Sequence, residues 1–225
     1  EMGHKILKSF KSKEIHVAHM IVEGCQQERS YRKQFGLLAE RLMKLDKIYE
    51  DAFDEKFVRC YDEIHLLDTN KIRNTALFFG YLLYSDSLDW TIFTYIKLNE
   101  NDTNPSKRIF IKILLQELSS LMGVQLKKKF FSYETDGKTN LYGNSFDGLF
   151  PKDNPKNTRF AINFLTTIGL GGLTQDMRKY LKNYQKDMIK QQQELVSSSD
   201  SDDSDTDTDS DTDSDSDSDS GSDTY

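Results

Sequence analysis

The stretch FGLLAERLMKLDKIYEDAFDEKFVRCYDEIHLL, residues 35–67, decides the fold class. Its apolar residues recur every three or four positions, first at Phe35, Leu38, Leu42, Leu45, Tyr49 and Ala52, then at Phe53, Phe57, Tyr61, Ile64 and Leu67. This spacing places side chains on one face of an α-helix, which has about 3.6 residues per turn. The pattern therefore predicts two successive amphipathic helices that meet between Ala52 and Phe53.

The same spacing predicts helices throughout the rest of the body. They cover residues 14–26, 72–83, 90–96, 110–121, 160–168 and 177–188. Polar or glycine-containing breaks separate them, namely Asp68-Thr69-Asn70, residues 99–106, Gly123 and residues 169–172. Helices joined by such breaks pack as antiparallel neighbours, so we expect an all-α fold of helical hairpins in a HEAT-like repeat array.

Composition divides the chain into five segments. We expect a clipped N-terminal helix remnant in residues 1–13, a helical-repeat domain in 14–131 and a long loop in 132–157. A C-terminal helical extension packed on the domain would follow in 158–196, and then a disordered tail in 197–225. Because the chain begins at Glu1 inside a helical pattern, it resembles a fragment of a longer protein.

The charge of the chain is unevenly distributed. Its 30 basic and 37 acidic residues give a net charge of −7, but twelve of the acidic residues are aspartates of the tail, which has no Lys, Arg or Glu. The remaining 25 acidic residues leave residues 1–196 with a net charge of +5. The Ser/Thr-Asp pattern of the tail fits either a solubilising segment or a substrate of acidophilic kinases.

Several functional classes are disfavoured by the sequence. Cys25 and Cys60 do not form a disulfide framework, and we interpret them as packing residues. No apolar run approaches the roughly 18 residues of a membrane span. His16 and His19 lack further ligands for a metal, and the glycines at 169–172 indicate a helix stop rather than a phosphate loop. We therefore predict no enzyme activity, no cofactor, no metal and no small-molecule substrate.

Three groups of basic residues are candidates for contact with a partner. They are Lys127, Lys128 and Lys129; Lys152, Lys156 and Arg159, which flank a proline loop; and Lys179, Lys182, Lys186 and Lys190, which form one helical stripe. Each group is either solvated surface or a contact for an acidic protein or for RNA phosphates. A contact with RNA would not distinguish one base from another, since no aromatic-rich strand motif is present.

Six strings together resemble a known family. They are CQQERSY (25–31), GLLAERL (36–42), TNKIRN (69–74), RIFIKILLQEL (108–118), FPKDNPKNTRF (150–160) and IGLGGLT (168–174). Their order and spacing resemble the C-terminal half of the nucampholin (Cwc-twenty-two) family of pre-mRNA-splicing factors, over roughly residues 3–190.

The resemblance implies a helical domain of the MA-three type and a nuclear, non-enzymatic scaffold role in the spliceosome, with U-five particle proteins and RNA as partners. It also implies a link to exon-junction assembly, through a DEAD-box helicase that the family holds by an N-terminal domain absent here. Of the basic groups, Lys152, Lys156 and Arg159 fall within a family string. The alternative is a translation regulator that binds an initiation-type DEAD-box helicase, since domains of this type elsewhere do so.

We expect that removal of residues 197–225 leaves the fold intact. Twelve aspartates with a single aromatic residue, Tyr225, offer no apolar surface for the core to bury. The melting temperature, followed by circular dichroism, should change by no more than about 1–2 °C. A much lower melting temperature for the truncated chain would show that the tail contributes to the folded core.

Overall fold

The structure is a computed structural model that describes residues 2–131, 142 and 144–197, with side chains described for 13–131, 142 and 144–192. Eight α-helices occur in these ranges: α1 (Met2–Gln27), α2 (Lys33–Leu45), α3 (Ile48–Asp62), α4 (Thr69–Tyr84), α5 (Pro105–Met122), α6 (Val124–Phe130), α7 (Pro155–Thr167) and α8 (Gln175–Ser197). Three 3-10 helices lie between them, at Ile64–Leu66, Trp90–Tyr95 and Gly171–Thr174. The described ranges contain no strand, which confirms the all-α prediction for them. The predicted tail, 197–225, lies outside the described residues apart from Ser197.

One compact unit ends at Tyr184, and the chain from Gln185 onward forms a second unit. The core described below belongs to the first unit. Its central element is α4, which packs against α1, α2 and α5. Phe78, Phe79 and Leu82 of this helix have no exposed surface. A helix that is apolar on nearly every side must lie inside the fold, and the other helices pack around α4 for that reason.

The predicted helix boundaries at polar caps are confirmed. The Asp68 carboxylate accepts a hydrogen bond from the backbone N–H of Lys71 at 2.9 Å. The side-chain oxygen of Asn104 likewise accepts one from the backbone N–H of Lys107 at 2.7 Å. Such caps satisfy backbone donors that the helix itself leaves without partners. Gly123 ends α5 with a φ of +54°, and Gly169 follows α7 with a φ of +87°. Glycine adopts these left-handed conformations without the steric cost of a Cβ atom, so both helices stop where the sequence predicts.

The predicted junction between the first two helices of the deciding stretch is wrong. The chain breaks at Asp46 and Lys47 rather than after Ala52, and the Asp46 carboxylate accepts a hydrogen bond from the N–H of Ile48 at 3.0 Å. Apolar spacing continues across this short break, so periodicity alone did not reveal it.

The buried face of α2 also differs from the predicted stripe. Leu38 and Leu45 are 48% and 75% exposed, whereas the buried residues are Gly36, Ala39 and Met43. A Cβ atom on Gly36 would lie 2.4 Å from a ring carbon of Tyr81. Small residues on α2 therefore allow it to approach α4 closely, and the larger leucines face outward.

Three further features differ from the sequence interpretation. Helix α1 runs without interruption from Met2 to Gln27, although the interpretation separated residues 1–13 from a helix beginning at residue 14. Helix α6, which carries Lys127, Lys128 and Lys129, was not predicted. Phe160 and Phe164, which lie at helical spacing in the predicted helix 160–168, are only partly buried. Among the described residues, no single helix is long and apolar enough to cross a membrane; α5 and α6 pass that test only together, and they are bent by 116°.

An aromatic cluster fixes the described end of the predicted loop 132–157. Trp90 stacks on Phe93 at 5.6 Å between ring centroids, and Phe130 meets the edges of Phe146 and Phe150 at 5.0 and 5.3 Å. Phe146 and Phe150 are 4% and 6% exposed. Residues 144–150 are therefore packed against the core, and they hold the following residues, 151–157, in place.

Buried hydrogen bonds of Asn74 should be essential for stability. Its amide donates to the carbonyl oxygens of Glu28 at 2.7 Å and Cys25 at 3.2 Å, and the side chain is 1% exposed. Asn74→Ala leaves both carbonyls without this donor, so we expect a loss of about 2–4 kcal/mol in the free energy of unfolding, measured with urea. Asn70→Ala, at an exposed position of the same helix, is the control and should change it by no more than about 0.5 kcal/mol. Equal effects of the two variants would contradict the assigned role of Asn74.

Candidate protein-interaction surface

A cleft of about 480 Å³ lies beside the segment 150–157. Residues from two segments of the sequence, 97–99 and 147–157, line it: Lys97, Asn99, Asp147, Gly148, Phe150, Pro151, Lys152, Asp153 and Asn157. Lys97 and Asn99 follow the 3-10 helix Trp90–Tyr95, and the others lie in the segment that leads into α7 and in the first turn of that helix. The string FPKDNPKNTRF, quoted above for its resemblance, thus contributes five lining residues of this cleft.

Backbone contact at Gly148 brings the two sides of the cleft together. The N–H of Leu98 donates to the carbonyl oxygen of Gly148 at 2.8 Å. A Cβ atom at position 148 would lie 2.4 Å from the carbonyl oxygen of Ile96. No real Cβ contact is that short, so the close approach of these two chain segments requires glycine here.

The wall formed by residues 150–158 is held by buried groups. Phe150 packs into the aromatic cluster, and the hydroxyl of Thr158, which has no exposed surface, donates to the carbonyl oxygen of Pro151 at 2.9 Å. The amide oxygen of Asn154 accepts from the N–H of Lys156 at 2.8 Å and caps α7, whose first residue is Pro155. Proline at this position loses no hydrogen bond, because the first N–H groups of a helix have no partner within it.

The predicted group of Lys152, Lys156 and Arg159 lies on this wall and in the first turns of α7. Lys152 lines the cleft, and all three side chains are exposed. The ammonium of Lys156 lies 3.0 Å from a carboxylate oxygen of Glu100, in a pair whose members are 74% and 59% exposed. A pair this exposed contributes little to stability and leaves both groups accessible to a partner.

Charges around the cleft are balanced. Lys97 and Lys152 are matched in the lining by Asp147 and Asp153. A nucleic-acid backbone would meet these carboxylates as well as the ammonium groups, whereas a protein surface can present both signs of charge. The cleft therefore suits a protein better than RNA.

The predicted group on α6 is largely engaged within the chain. Lys129 is 22% exposed, its ammonium pairs with Asp86 at 2.7 Å, and it lies 5.4 Å from the ring centroid of Trp90. Burial acts to lower the pKa of Lys129, but hydrogen bonds to Asp86 and Tyr142 outweigh this effect and raise it. Lys127 donates to the side-chain oxygen of Gln175 at 2.9 Å, and Lys128 is exposed. These contacts join α6 to its neighbours.

The predicted stripe on α8 is exposed. Lys179 pairs with Asp176 three residues earlier at 3.3 Å, and Lys182, Lys186 and Lys190 lie on the exposed residues 182–192. None of these four lysines contributes to the lining of the cleft.

Side chains that could hold a metal ion are not brought together in the described part of the chain. It contains no cluster of three His, Cys, Asp or Glu residues suited to a metal ion. Both cysteines are buried free thiols, and burial raises the pKa of Cys25 to about 12 and that of Cys60 to about 11. They are protonated at neutral pH and therefore unreactive, since the thiolate is the nucleophile.

The sequence did not reveal the side of the cleft formed by Lys97 and Asn99, which is distant in sequence from the other side. Lys97 and Asn99 carried no motif, and only tertiary packing places them opposite residues 147–157. The one available signal was Gly148, because glycine lacks the Cβ atom that would block the close approach of two backbone segments.

Comparison with known proteins agrees with the helical architecture. The MA3 domain family matches residues 1–89, which include α1 to α4. Proteins named pre-mRNA-splicing factor CWC22 homolog are 45% identical over 202 residues in Drosophila melanogaster and 46% identical over 197 residues in Homo sapiens. The protein named pre-mRNA-splicing factor cwc22 in Emericella nidulans is 43% identical over 191 residues.

These alignments cover 88%, 87% and 84% of this chain, but only 15%, 21% and 21% of the respective relatives. The chain thus spans about a fifth or less of the length of these relatives. Identity of this level over nearly all of the helical body, together with the MA3 match, shows that the chain belongs to the CWC22 family and corresponds to a region that contains its MA3 domain.

Proposed function

We propose that this chain is a non-enzymatic docking domain of a nuclear pre-mRNA-splicing factor. The relatives described above are named as splicing factors, and the chain aligns with them over most of its length. We further propose that Lys152, Lys156 and Arg159 bind another spliceosomal protein at the cleft. The observation that carries this proposal is the cleft wall itself, where buried anchors hold a charged and exposed segment in one conformation.

A preorganised wall favours binding because little conformational entropy is lost when the partner arrives. Thr158 and Phe150 fix the wall from inside, so its exposed side chains extend from a rigid backbone. Lys152 and Asp153 can then form hydrogen-bonded ion pairs that water no longer screens once the interface closes. Such interfacial charges set the specificity and the association rate of a complex.

The proposed partners are proteins of the U-five particle. RNA is assigned to a different surface, the lysine stripe of α8, because the cleft carries balanced charge. The exon-junction helicase is not a proposed partner of the cleft, since the resemblance attributes its binding to an N-terminal domain of the family. The described residues bring together no cluster of three His, Cys, Asp or Glu residues suited to a metal ion, which supports a binding role in this proposal.

Charge reversal of Lys152, Lys156 and Arg159 to glutamate should abolish partner binding without unfolding the domain. These side chains are exposed, so we expect a change of no more than about 0.5 kcal/mol in stability for each. Loss of one charge that is buried in the interface can weaken binding by about 2–5 kcal/mol. The measurement is recovery of U-five proteins from nuclear extract by the tagged chain, with thermal melts of every variant.

A matched control reverses Arg41, Lys47 and Lys112, which are also exposed but lie away from the cleft lining. This variant should recover the same proteins as the unmodified chain. Normal recovery by the cleft variant would exclude the cleft, and no recovery by the unmodified chain would exclude docking through this region. Direct binding of a purified initiation-type DEAD-box helicase would favour the translation-regulator alternative instead.

Gly148→Ala should disturb the cleft from inside. The new Cβ atom would meet the carbonyl oxygen of Ile96 at 2.4 Å and force the two walls apart. We expect a loss of about 1–3 kcal/mol in stability from this overpacking, together with weaker recovery of the partner. Gly172→Ala is the control, because a Cβ atom there has no neighbour within 4 Å. Unchanged stability and binding of Gly148→Ala would contradict the described contact of the two walls.

A further inference from the structure

Helix α8 has one basic side and one apolar side. With about 100° per residue, Lys179, Lys182, Lys186 and Lys190 fall within an arc of about 80°. On the opposite side lie the apolar residues Met177, Leu181, Tyr184 and Met188. The four lysines extend over about 16 Å of the helix, since each residue adds about 1.5 Å.

Three of the four lysines on the basic side have no ion-pair partner among the described residues. In the residues that the structure describes, Lys182, Lys186 and Lys190 form no ion pair, and only Lys179 has a carboxylate partner, the partly buried Asp176. Successive lysines of the stripe are about one helical turn apart, roughly 5–6 Å, which is shorter than the Debye length of about 10 Å at 0.1 M salt. Their potentials therefore add, and the stripe attracts polyanions more strongly than isolated lysines do.

The chain itself supplies a polyanion directly after this helix. Residues 198–225 contain twelve aspartates and no basic residue. These 28 residues have an extended length of about 90 Å, whereas Lys182 lies only about 22 Å along the helix axis from Ser197. The tail is thus long enough to turn back and reach every lysine of the stripe.

We propose that the acidic tail, residues 198–225, binds the lysine stripe of α8 within the same chain and competes there with external polyanions such as RNA. A tethered ligand is present at an effective concentration in the millimolar range, so even weak contacts are occupied. Binding relieves the mutual repulsion of the lysines and that of the aspartates. This regulation goes beyond the docking at the cleft, and its test is independent of that proposal.

Zero-length carbodiimide crosslinking of the full monomeric chain tests the contact directly. At low salt, the tail should crosslink to Lys182, Lys186 and Lys190 at least about threefold more often than to the single exposed lysines Lys47 and Lys112. This preference should disappear in about 0.5 M salt, where the Debye length falls to a few ångströms. Equal crosslinking to all exposed lysines at low salt would overturn the proposal.

Competition is tested with a labelled single-stranded oligouridine as the probe. At low salt, the chain without residues 198–225 should bind it at least about tenfold more tightly than the full chain, and the gap should close as salt rises. For the truncated chain, the logarithm of the association constant plotted against the logarithm of the salt concentration should have a slope of about −2 to −3. This is the value for three or four lysine–phosphate contacts on a single strand. Replacing Lys182, Lys186 and Lys190 by glutamine in the truncated chain should remove most of this slope.

The matched control is a full chain in which all twelve tail aspartates are asparagine, which keeps the length and removes the charge. It should bind the probe as tightly as the truncated chain does. Inhibition by the uncharged tail, or equal affinity of the full and truncated chains at low salt, would overturn the competition. Failure of the truncated chain to bind the probe at all would exclude RNA as the competing ligand.

Discussion

Burial of α4 on nearly all its sides is the constraint on which the rest of the fold depends. Ten of its sixteen residues are buried, and α1, α2 and α5 surround it. Two of the buried residues are polar, and each has its partners: Asn74 donates to carbonyl oxygens at the end of α1, and Thr75 accepts from Gln26 at 3.0 Å. Buried polar groups are costly unless they are paired, so these contacts specify one arrangement of α1 against α4. Apolar packing alone would permit others.

A second cluster of rings connects this core to the candidate site. Phe130 of α6 lies between Trp90 and Phe146, and Phe150 joins it from the cleft wall. Lys129 covers the Trp90 side of the cluster and pairs with Asp86, so a residue that the sequence suggested as a partner contact also has a structural role. The rigidity of the cleft wall follows from the packing of these rings.

The two exposed basic surfaces differ in the charges that accompany them. At the cleft, Asp147 and Asp153 neutralise Lys97 and Lys152, and this balance suits a protein partner. On α8, three successive lysines have no described carboxylate partner, and the adjoining tail carries twelve aspartates. Composition separates a basic body from an acidic tail. In the described structure, the exposed basic group nearest in sequence to that tail is the lysine stripe of α8.

The sequence by itself determined the helical class and the position of most helix ends. Asp68, Asn104, Asn154 and Gly123 act on backbone groups within a few residues of themselves, so local sequence contains the information. The tertiary structure alone decided which faces are buried. Leu38 and Leu45 are exposed because Gly36 lets α2 approach Tyr81, and Lys97 reaches the cleft because the chain near Ile96 touches Gly148. Burial depends on a partner that is distant in sequence, and periodicity identifies an apolar face without showing what covers it.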